Sequence, residues 1–327
     1  MKRLLLDFDK IKTNRDYDTP LRHLVCAQLD VSNVCNAQCR DCVAPKVVPP
    51  KVTLEKAAEF FDSCAALGIR TFFFSCLKEA SLSPILVPLI RHLSESHRRL
   101  LMIYDTNGIV FPEGFEEAVS ELGNGNRLIT SISIWGGSAE SWRYWHGVDR
   151  FADMERTVGR YLSCTRRGAF VPAFSTRFIS QEQYDETREF VRKKVASYNL
   201  GFNETVRQGF DGKRSAVDEG TVVMIRRINI DSTGSHDKDA QGNIVSLPAV
   251  PFGNCPVMFV NVAAPDGLIR PCISTISPVL GDIFAQPVTP EYLRSIYTGS
   301  QARSIMEQNK KGQSDFCKGC LARVNCR

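Results

Sequence analysis

The 327-residue chain has no apolar run that approaches the roughly 20 residues needed to cross a lipid bilayer. Its opening stretch, MKRLLLDFDKIK, carries only a short leucine run before Asp7, too little for the core of a secretory signal. The chain as a whole also lacks a stripe of lysine and arginine interleaved with aromatic residues, so its net charge of +5 is weak support for nucleic-acid binding. We therefore expect a cytoplasmic protein that binds neither a membrane nor a nucleic acid.

Cysteine, by contrast, is abundant, and its placement indicates metal binding. Disulfides are rare in a reducing compartment, so the twelve cysteines do not predict a disulfide framework. Most of them form two groups near the ends of the chain: Cys35, Cys39 and Cys42, and then Cys255, Cys272, Cys317, Cys320 and Cys326. Two separate groups predict two metal sites.

Strand-like runs alternate with helical patterns between residues 24 and 206. The predicted strands begin at residues 24, 69, 100, 128, 169 and 200, and the helices between them begin at residues 53, 85, 112, 151 and 181. This repetition predicts an α/β fold with a parallel sheet and helices outside it. Six such units form a partial (β/α)6 TIM barrel, whose active face lies at the carboxyl ends of the strands.

Composition divides the chain into four parts. Residues 1–23 are an N-terminal extension, and residues 24–210 form the barrel. Residues 211–250 are polar and rich in glycine and proline, which predicts a connector carrying a strand or hairpin. Residues 251–327 form a small cysteine-bearing domain.

The sequence CNAQCRDC at residues 35–42 directly follows the first predicted strand, so its three cysteines lie on the active face. Thiolates select zinc, copper(I) or an iron–sulfur cluster, and a closed structural zinc site takes four protein ligands. Three cysteines would instead hold a [4Fe–4S] cluster with one iron open to a cofactor or substrate. A zinc site completed by a distant histidine and three unrelated thiols are the alternatives.

The spacing C-x3-C-x2-C after the first strand of such a repeat resembles the radical S-adenosylmethionine (SAM) superfamily. Three later segments extend the likeness: LKEASLSP (77–84), TNG (106–108) and SISIWGGSAESWRYWHG (131–147). The resemblance implies that the open iron binds the amino and carboxylate groups of SAM. Reductive cleavage then yields a 5′-deoxyadenosyl radical, which abstracts a hydrogen atom from an unactivated C–H bond.

The resemblance also implies a set of SAM-binding side chains. They are Glu79, which would hold the SAM ammonium, together with Asn107, Ser131, Ser133 and Arg177. Glu79 has an alternative role as a carboxylate favoured at a helix start, and Arg177 has one as a surface ion-pair partner. Leu77 and Lys78 replace the two glycines that usually precede this glutamate.

Two further positions depart from the family pattern. Trp135 stands where an aspartate is common, and Asp41 stands where an aromatic residue usually shields the adenine. The second departure bears on the adenine side of the site and leaves the cluster ligands unaffected.

The C-terminal cysteines resemble the SPASM/twitch extension of the same superfamily. Its signature is a cysteine, a spacer, G-x4-C and then C-x2-C-x5-C, which the segments 255–272 and 317–326 match. The shorter twitch form fits, with Cys255, Cys272, Cys317 and Cys320 as ligands of an auxiliary [4Fe–4S] cluster. Cys326 is left over. A zinc ribbon is the alternative, since two cysteine pairs also suit tetrahedral zinc.

The resemblance to members that tailor carbohydrates and aminoglycosides implies a sugar or aminocyclitol substrate of the kind met in antibiotic biosynthesis. We expect attack at a carbinol carbon and epimerisation, with Cys76 or Cys326 as the thiol that returns hydrogen. Oxidation to a ketone, with the auxiliary cluster accepting the electron, is the alternative. Modification of a ribosomal peptide is a further one, although only residues 1–23 precede the barrel. An external electron donor of the flavodoxin or ferredoxin type is implied.

Five side chains are candidates for binding this substrate. They are Gln28 and Asp30 on the first strand, and Trp135, Trp145 and His146 after the fourth. Aromatic faces stack on sugar rings, but the same residues would also serve to pack a long loop. Gln28 and Asp30 would equally need partners of their own deep in a barrel.

The cysteine pattern predicts a brown, air-sensitive protein that holds about eight iron atoms per chain, from two cubanes. Cys35→Ala should remove about four of them, whereas Cys64→Ala, outside both groups, should remove none. Metal analysis of anaerobically reconstituted protein tests this prediction. A colourless protein with two zinc ions would instead indicate a zinc-binding interaction module.

Overall fold

The structure is a computed structural model. It describes residues 24–40, 42, 52–75, 77–165, 169–176, 181–207, 221–227, 237–238, 244–245, 258–262, 266–271 and 278–310. No helix among these residues has the length and apolar character that crossing a membrane requires.

Strands and helices alternate along most of the described chain. The strands are β1 (Leu24–Leu29), β2 (Thr71–Phe73), β3 (Leu101–Thr106), β4 (Arg127–Ser133), β5 (Phe170–Thr176), β6 (Gly201–Arg207), β7 (Thr221–Arg227), β8 (Asp237–Lys238), β9 (Ile244–Val245), β10 (Met258–Val262), β11 (Leu268–Ile269) and β12 (Gly281–Asp282). The helices are α1 (Leu54–Ala66), α2 (Leu86–Ser96), α3 (Phe115–Ser120), α4 (Ala139–His146), α5 (Phe151–Ser163), α6 (Gln181–Ala196), α7 (Pro290–Thr298) and α8 (Ser300–Lys310), with a 3₁₀ turn at Ala80–Leu82.

Eight strands form one parallel sheet in the order β10-β1-β2-β3-β4-β5-β7-β6. The α/β fold class and the consecutive order of β1 to β5 are confirmed. Two more strands join this sheet than the six-unit barrel predicts. The strand expected in the connector is β7, and it separates β6 from β5, while β10 pairs with β1. Neighbours in a sheet are set by distant pairing, which local periodicity does not reveal.

Helices cover the outer face of the sheet, and α1 shows why they form. Thr53 caps this helix by accepting a hydrogen bond from the Lys56 backbone N–H at 3.2 Å. Its apolar residues recur at helical spacing, so one face is buried against β2. The Phe61 ring, fully buried, lies 4.9 Å from the Phe72 ring and 5.3 Å from the Phe74 ring.

The inner face of the sheet carries a second, smaller apolar cluster. Ile103, Ile129 and Ala173 lie on neighbouring strands with Phe73 packed against them, separate from the main core. Towards the carboxyl ends the same face turns polar. The inner face therefore has an apolar floor and a polar mouth, which is where α/β sheets bind ligands.

The C-terminal part of the described chain packs beside α1. Strands β11 and β12 pair antiparallel, and α7 begins at the Thr289 cap with Pro290 in its first turn. The Ser63 hydroxyl donates a 2.6 Å hydrogen bond to the Val288 carbonyl, which fixes this segment against α1. Because Ser63 and Val288 are far apart in the sequence, this hydrogen bond anchors the C-terminal segment to the barrel.

Truncating the most enclosed ring of this core should destabilise the fold. Phe61→Ala deletes a fully buried ring and should lower the free energy of unfolding by about 3–5 kcal/mol. Phe284→Ala, at a ring that is 38% exposed, is the matched control and should cost under about 1 kcal/mol. Urea denaturation of the metal-free chain measures both, and equal losses would contradict the placement of the core.

Candidate functional site

The cysteine loop leaves the carboxyl end of β1, as the sequence predicts. Cys35 and Cys42 are exposed and Cys39 is half-buried. The Cys42 backbone N–H donates to the Cys39 carbonyl at 3.1 Å, which closes a tight turn between these two residues. The thiols are thus held on a short exposed loop at the polar mouth of the sheet.

The donor set of this loop is three thiolates, and this soft-ligand chemistry fits an iron–sulfur cluster as well as zinc. Among the described residues, no three Cys, His, Asp or Glu side chains are gathered closely enough to hold a metal ion. Cys35, Cys39 and Cys42 therefore stay predicted ligands of a [4Fe–4S] cluster.

Glu79 lies at the centre of the loops that leave β1, β2 and β3. Its backbone N–H donates to the Val34 carbonyl at 3.1 Å, beside the cysteine loop. Its Oε2 accepts the Asn107 backbone N–H at 2.8 Å. Its Oε1 accepts the Ser81 hydroxyl at 2.6 Å and the Ser81 backbone N–H at 3.2 Å. Local geometry places this side chain, because Glu79 caps the 3₁₀ turn at Ala80–Leu82.

The Glu79 carboxylate is a buried charge without a cationic partner in the described part of the chain. It is 3% exposed, and none of the described ion pairs includes it. Burial raises the pKa of this carboxyl, while hydrogen bonds from Asn107 and Ser81 act to lower it. A buried carboxylate held by oriented donors is prepared for a cationic ligand group.

Asn107 joins the end of β3 to the cysteine loop. Its Nδ2 donates to Asn36 Oδ1 at 2.7 Å and lies 3.9 Å from the Cys35 Sγ. Its Oδ1 accepts the Ile109 backbone N–H at 2.9 Å, which fixes the amide orientation. Gly108 follows with φ +76°, a conformation that explains the glycine of the TNG segment. The predicted cofactor residue is therefore at the site, in contact with the loop.

The polar mouth also contains a carboxylate that the sequence reasoning missed. Tyr104 points to the helices, where its hydroxyl donates to the Tyr161 hydroxyl at 2.8 Å, so alternation turns Asp105 inward. No described residue hydrogen-bonds to the Asp105 carboxylate or pairs with it. Its register neighbour on β4 is Ser131, whose buried hydroxyl has no partner among the described residues. The alternation of inward and outward side chains along YDTNG is the sequence signal that could have identified Asp105.

The serines predicted for SAM binding lie in this mouth. Ser131 is 6% exposed, and the Ser133 hydroxyl lies 3.4 Å from the Ser175 hydroxyl on β5. Together with Asp105 they form a band of polar groups across three neighbouring strands. The band is suited to bind hydroxyl or amino groups.

Gln28 and Asp30 lie at the mouth but hold the backbone of the β2 loop. The Gln28 side chain donates to the Ser75 carbonyl at 2.8 Å. Both Asp30 oxygens accept the Leu77 backbone N–H at 3.2 Å. These contacts give both residues a structural role; their substrate role stays a prediction.

The aromatic group after β4 packs internally. His146 is fully buried between Trp135, at 5.0 Å, and Trp142, at 4.2 Å, so both faces of its ring are covered. Trp145 is 1% exposed and meets Trp135 edge-on at 6.3 Å. Trp145 and His146 therefore use their ring faces in packing contacts, and their role in binding a substrate stays a prediction. The segment forms helix α4 rather than a long loop.

Other predicted residues fall outside the described part of the chain. They are Cys76, Arg177, Cys255, Cys272, Cys317, Cys320 and Cys326. Of the scattered cysteines, Cys26 and Cys64 are buried, and burial raises the pKa of both thiols well above the usual value. Burial also raises the pKa of Cys164 to about 11. These thiols are packing residues.

No family model and no curated protein sequence matches the chain. Solved structures match its fold. SuiB of Streptococcus suis bound to the precursor peptide SuiA is 10% identical, with a TM-score of 0.59 over 97% of this chain and 77% of SuiB. SuiB bound to S-adenosylmethionine is 11% identical, with a TM-score of 0.58 over 92% and 74% of the two chains.

A third structure, BtrN in complex with AdoMet and 2-DOIA, is 15% identical, with a TM-score of 0.49 over 91% of this chain and 93% of BtrN. The likeness to SuiB is one of fold, and it confirms the α/β fold that the sequence resemblance implies.

The raised pKa of Glu79 predicts a pH-dependent stability term. Between its ordinary value of 4.5 and the raised value, the folded chain holds a proton that the unfolded chain has lost. The free energy of unfolding therefore falls as pH rises through this window, by about 1.4 kcal/mol per unit of raised pKa.

The free energy of unfolding of Glu79→Gln should lack this pH dependence. Below about pH 4.5, where Glu79 is protonated in both the folded and the unfolded chain, the variant and the wild type should differ in this free energy by a constant amount. Urea denaturation of both metal-free chains over a pH series gives the difference. A constant difference across the series would contradict the buried, cation-free state of Glu79.

Proposed function

We propose that this chain is a radical SAM enzyme. The observation that carries the proposal is the position of the Glu79 carboxylate, buried, without a cation among the described residues and adjacent to the three-cysteine loop. Leaving a buried carboxylate without a partner for its charge is costly, so the site favours a ligand group that donates hydrogen bonds to it. The amino group of SAM is such a ligand, and SuiB, whose fold the chain shares, is described bound to SAM.

When bound, SAM and a [4Fe–4S] cluster supply a carbon-centred radical that removes a hydrogen atom from an unactivated C–H bond. Cys35, Cys39 and Cys42 would hold the cluster and leave one iron open. Glu79 would accept a hydrogen bond from the SAM amino group that the open iron binds. The Asn107 backbone N–H keeps the Glu79 carboxylate aligned through its 2.8 Å hydrogen bond. Ser131 and Ser133 would bind SAM hydroxyls, with Arg177 near its carboxylate.

The polar mouth supports a small hydroxylated or aminated substrate, a sugar or an aminocyclitol. Asp105 carries an inward carboxylate that would bind an amino group or a pair of hydroxyls, beside the unpartnered Ser131 hydroxyl. We propose epimerisation at a carbinol carbon, in which the carbon loses a hydrogen atom to the 5′-deoxyadenosyl radical and regains one from a cysteine thiol on the opposite face. The thiyl radical left on the cysteine would take an electron from the reduced auxiliary cluster and a proton from solvent. Cys76 and Cys326 are the candidate donors.

Two alternatives share the same first step. In the first, the carbinol carbon loses an electron and a proton and becomes a ketone, with an auxiliary cluster held by Cys255, Cys272, Cys317 and Cys320 as electron acceptor. In the second, the substrate is a ribosomal peptide, an alternative favoured by SuiB, which is described bound to a precursor peptide. Epimerisation, dehydrogenation and peptide modification would all require a cytoplasmic flavodoxin or ferredoxin to reduce the clusters.

Turnover in deuterated water distinguishes these reactions. Reconstituted protein is incubated anaerobically with SAM, a reductant and a panel of aminocyclitols and amino sugars. Epimerisation predicts a product that carries deuterium at the inverted carbon with no change in redox level. A ketone indicates dehydrogenation. If fully reconstituted protein never cleaves SAM to 5′-deoxyadenosine, the radical SAM proposal is wrong.

The thiol donor is tested by Cys76→Ala and Cys326→Ala, with Cys64→Ala as a control at a buried packing thiol. The variant that lacks the donor should continue to cleave SAM but lose inversion of the carbon, because the radical then has no hydrogen source. Inversion that survives in both variants would exclude a donor role for these cysteines.

A further inference from the structure

Helix α4 ends directly against the cysteine loop. The Gln38 backbone N–H donates to the His146 carbonyl at 2.9 Å, and the Arg40 backbone N–H donates to the Trp145 carbonyl at 3.0 Å. Carbonyls in the last turn of a helix have no partner within the helix. Here the loop supplies two of the missing donors, one on each side of Cys39.

Gly147 brings the two segments into contact. It ends α4 with φ +68°, and its N–H donates to the Arg143 carbonyl at 2.9 Å. A Cβ at this position would lie 2.3 Å from the Gln38 carbonyl oxygen and 3.0 Å from its carbonyl carbon. Side chains do not approach backbone atoms so closely. The loop therefore rests on bare glycine backbone, and any larger residue must displace it.

Helix α4 is itself firmly held, so it is suited to act as an anchor. His146 is fully buried between the rings of Trp135 and Trp142. At the other end of the helix, Ser141 Oγ donates to Glu186 Oε2 on α6 at 2.8 Å. The aromatic group is thus the fixed support behind the loop, a role that its buried ring faces fit.

The loop also makes a side-chain contact with the same helix. The Arg40 guanidinium lies over the exposed Tyr144 ring, 4.5 Å from its centroid. With the two backbone hydrogen bonds this makes three contacts from the segment between Cys35 and Cys42 to one turn of helix.

We propose that the C-terminal turn of α4 positions the cysteine loop for its cluster, and that Gly147 is the positioning residue on which this contact depends. The proposal rests on the proposed function for the cluster, while the contact itself is a property of the chain. Residues that orient metal ligands without touching the metal typically change metal affinity about 10- to 100-fold when they are replaced.

Hydrogen exchange on the metal-free wild-type chain tests the contact without a cluster. Because both amides are hydrogen-bonded to α4, the Gln38 and Arg40 N–H groups should exchange slowly. Exchange at the rate of an open loop would overturn the proposal, whatever the enzyme proves to catalyse.

Gly147→Ala and Gly68→Ala form a matched pair of variants. Both glycines follow a helix and have positive φ, +68° and +90°, so alanine brings similar backbone strain. A Cβ at Gly68 meets nothing within 4 Å. Gly147→Ala should remove protection from the Gln38 and Arg40 amides, and Gly68→Ala should leave it. Equal protection in the two variants would overturn the proposal.

Iron release to a chelator reports on the cluster. The phase of iron release that is missing in Cys35→Ala reports on the cluster at the cysteine loop. If the wild-type protein shows no such phase, the proposed function is wrong, while the hydrogen-exchange result for the Gln38 and Arg40 amides is unaffected. Gly147→Ala should release this iron about 10- to 100-fold faster than wild type, and Gly68→Ala at the wild-type rate. Equal rates in both variants would overturn the positioning role.

Tyr144→Ala keeps the test valid if Gly147→Ala does not fold. Tyr144 is 41% exposed, so its loss leaves the core intact, but it removes the contact with Arg40. Faster iron release in the loop phase is expected, with an unchanged thermal midpoint of the metal-free chain. An unchanged rate would contradict the proposal.

Discussion

The Glu79 carboxylate is the interaction on which the site depends. It accepts hydrogen bonds from the end of β3 and from its own 3₁₀ turn, and its backbone donates to the carbonyl preceding Cys35. Three loops at the carboxyl ends of neighbouring strands are thereby joined at one buried charge. Because that charge has no cation among the described residues, the fold carries an electrostatic cost that a bound amino group would offset by donating hydrogen bonds to the carboxylate.

The two faces of the sheet explain how such a site is supported. Aromatic packing such as that of Phe61 fixes the strands from the helix side. On the inner side, Ile103 and its neighbours form an apolar floor beneath the polar band of Asp105 and Ser131. Among the described residues, the polar groups of the inner face therefore gather at the mouth, above the apolar floor. The stability of the fold and the openness of the site are therefore supplied by different residues.

Local patterns in the sequence predicted much of this arrangement. The periodicity of the first five strand–helix units placed β1 to β5 in their observed order, and the position of the cysteines directly after β1 placed their loop at the mouth. Non-local pairing was not predictable in the same way, so the position of β7 between β5 and β6 appeared only in the structure. Asp105 shows a signal that was present but unused, since strand alternation alone turns it inward.

The residues after β4 show the limits of composition as a guide. Aromatic residues at a barrel mouth suit both sugar stacking and packing, and composition alone does not choose between the two roles. A serine pair at Ser138 and Ser141 and a glycine at 147 indicate a short capped helix, and the structure has one. Once that helix forms, His146 is enclosed, and both faces of its ring pack against Trp135 and Trp142. The group then supports the cysteine loop.

The most direct test of the central claim is electron–nuclear double resonance on the reduced protein with SAM carrying a nitrogen isotope in its amino group. Our account predicts a coupling between that nitrogen and the cluster at Cys35, Cys39 and Cys42. A fully loaded cluster that shows no coupling to the labelled nitrogen would contradict it.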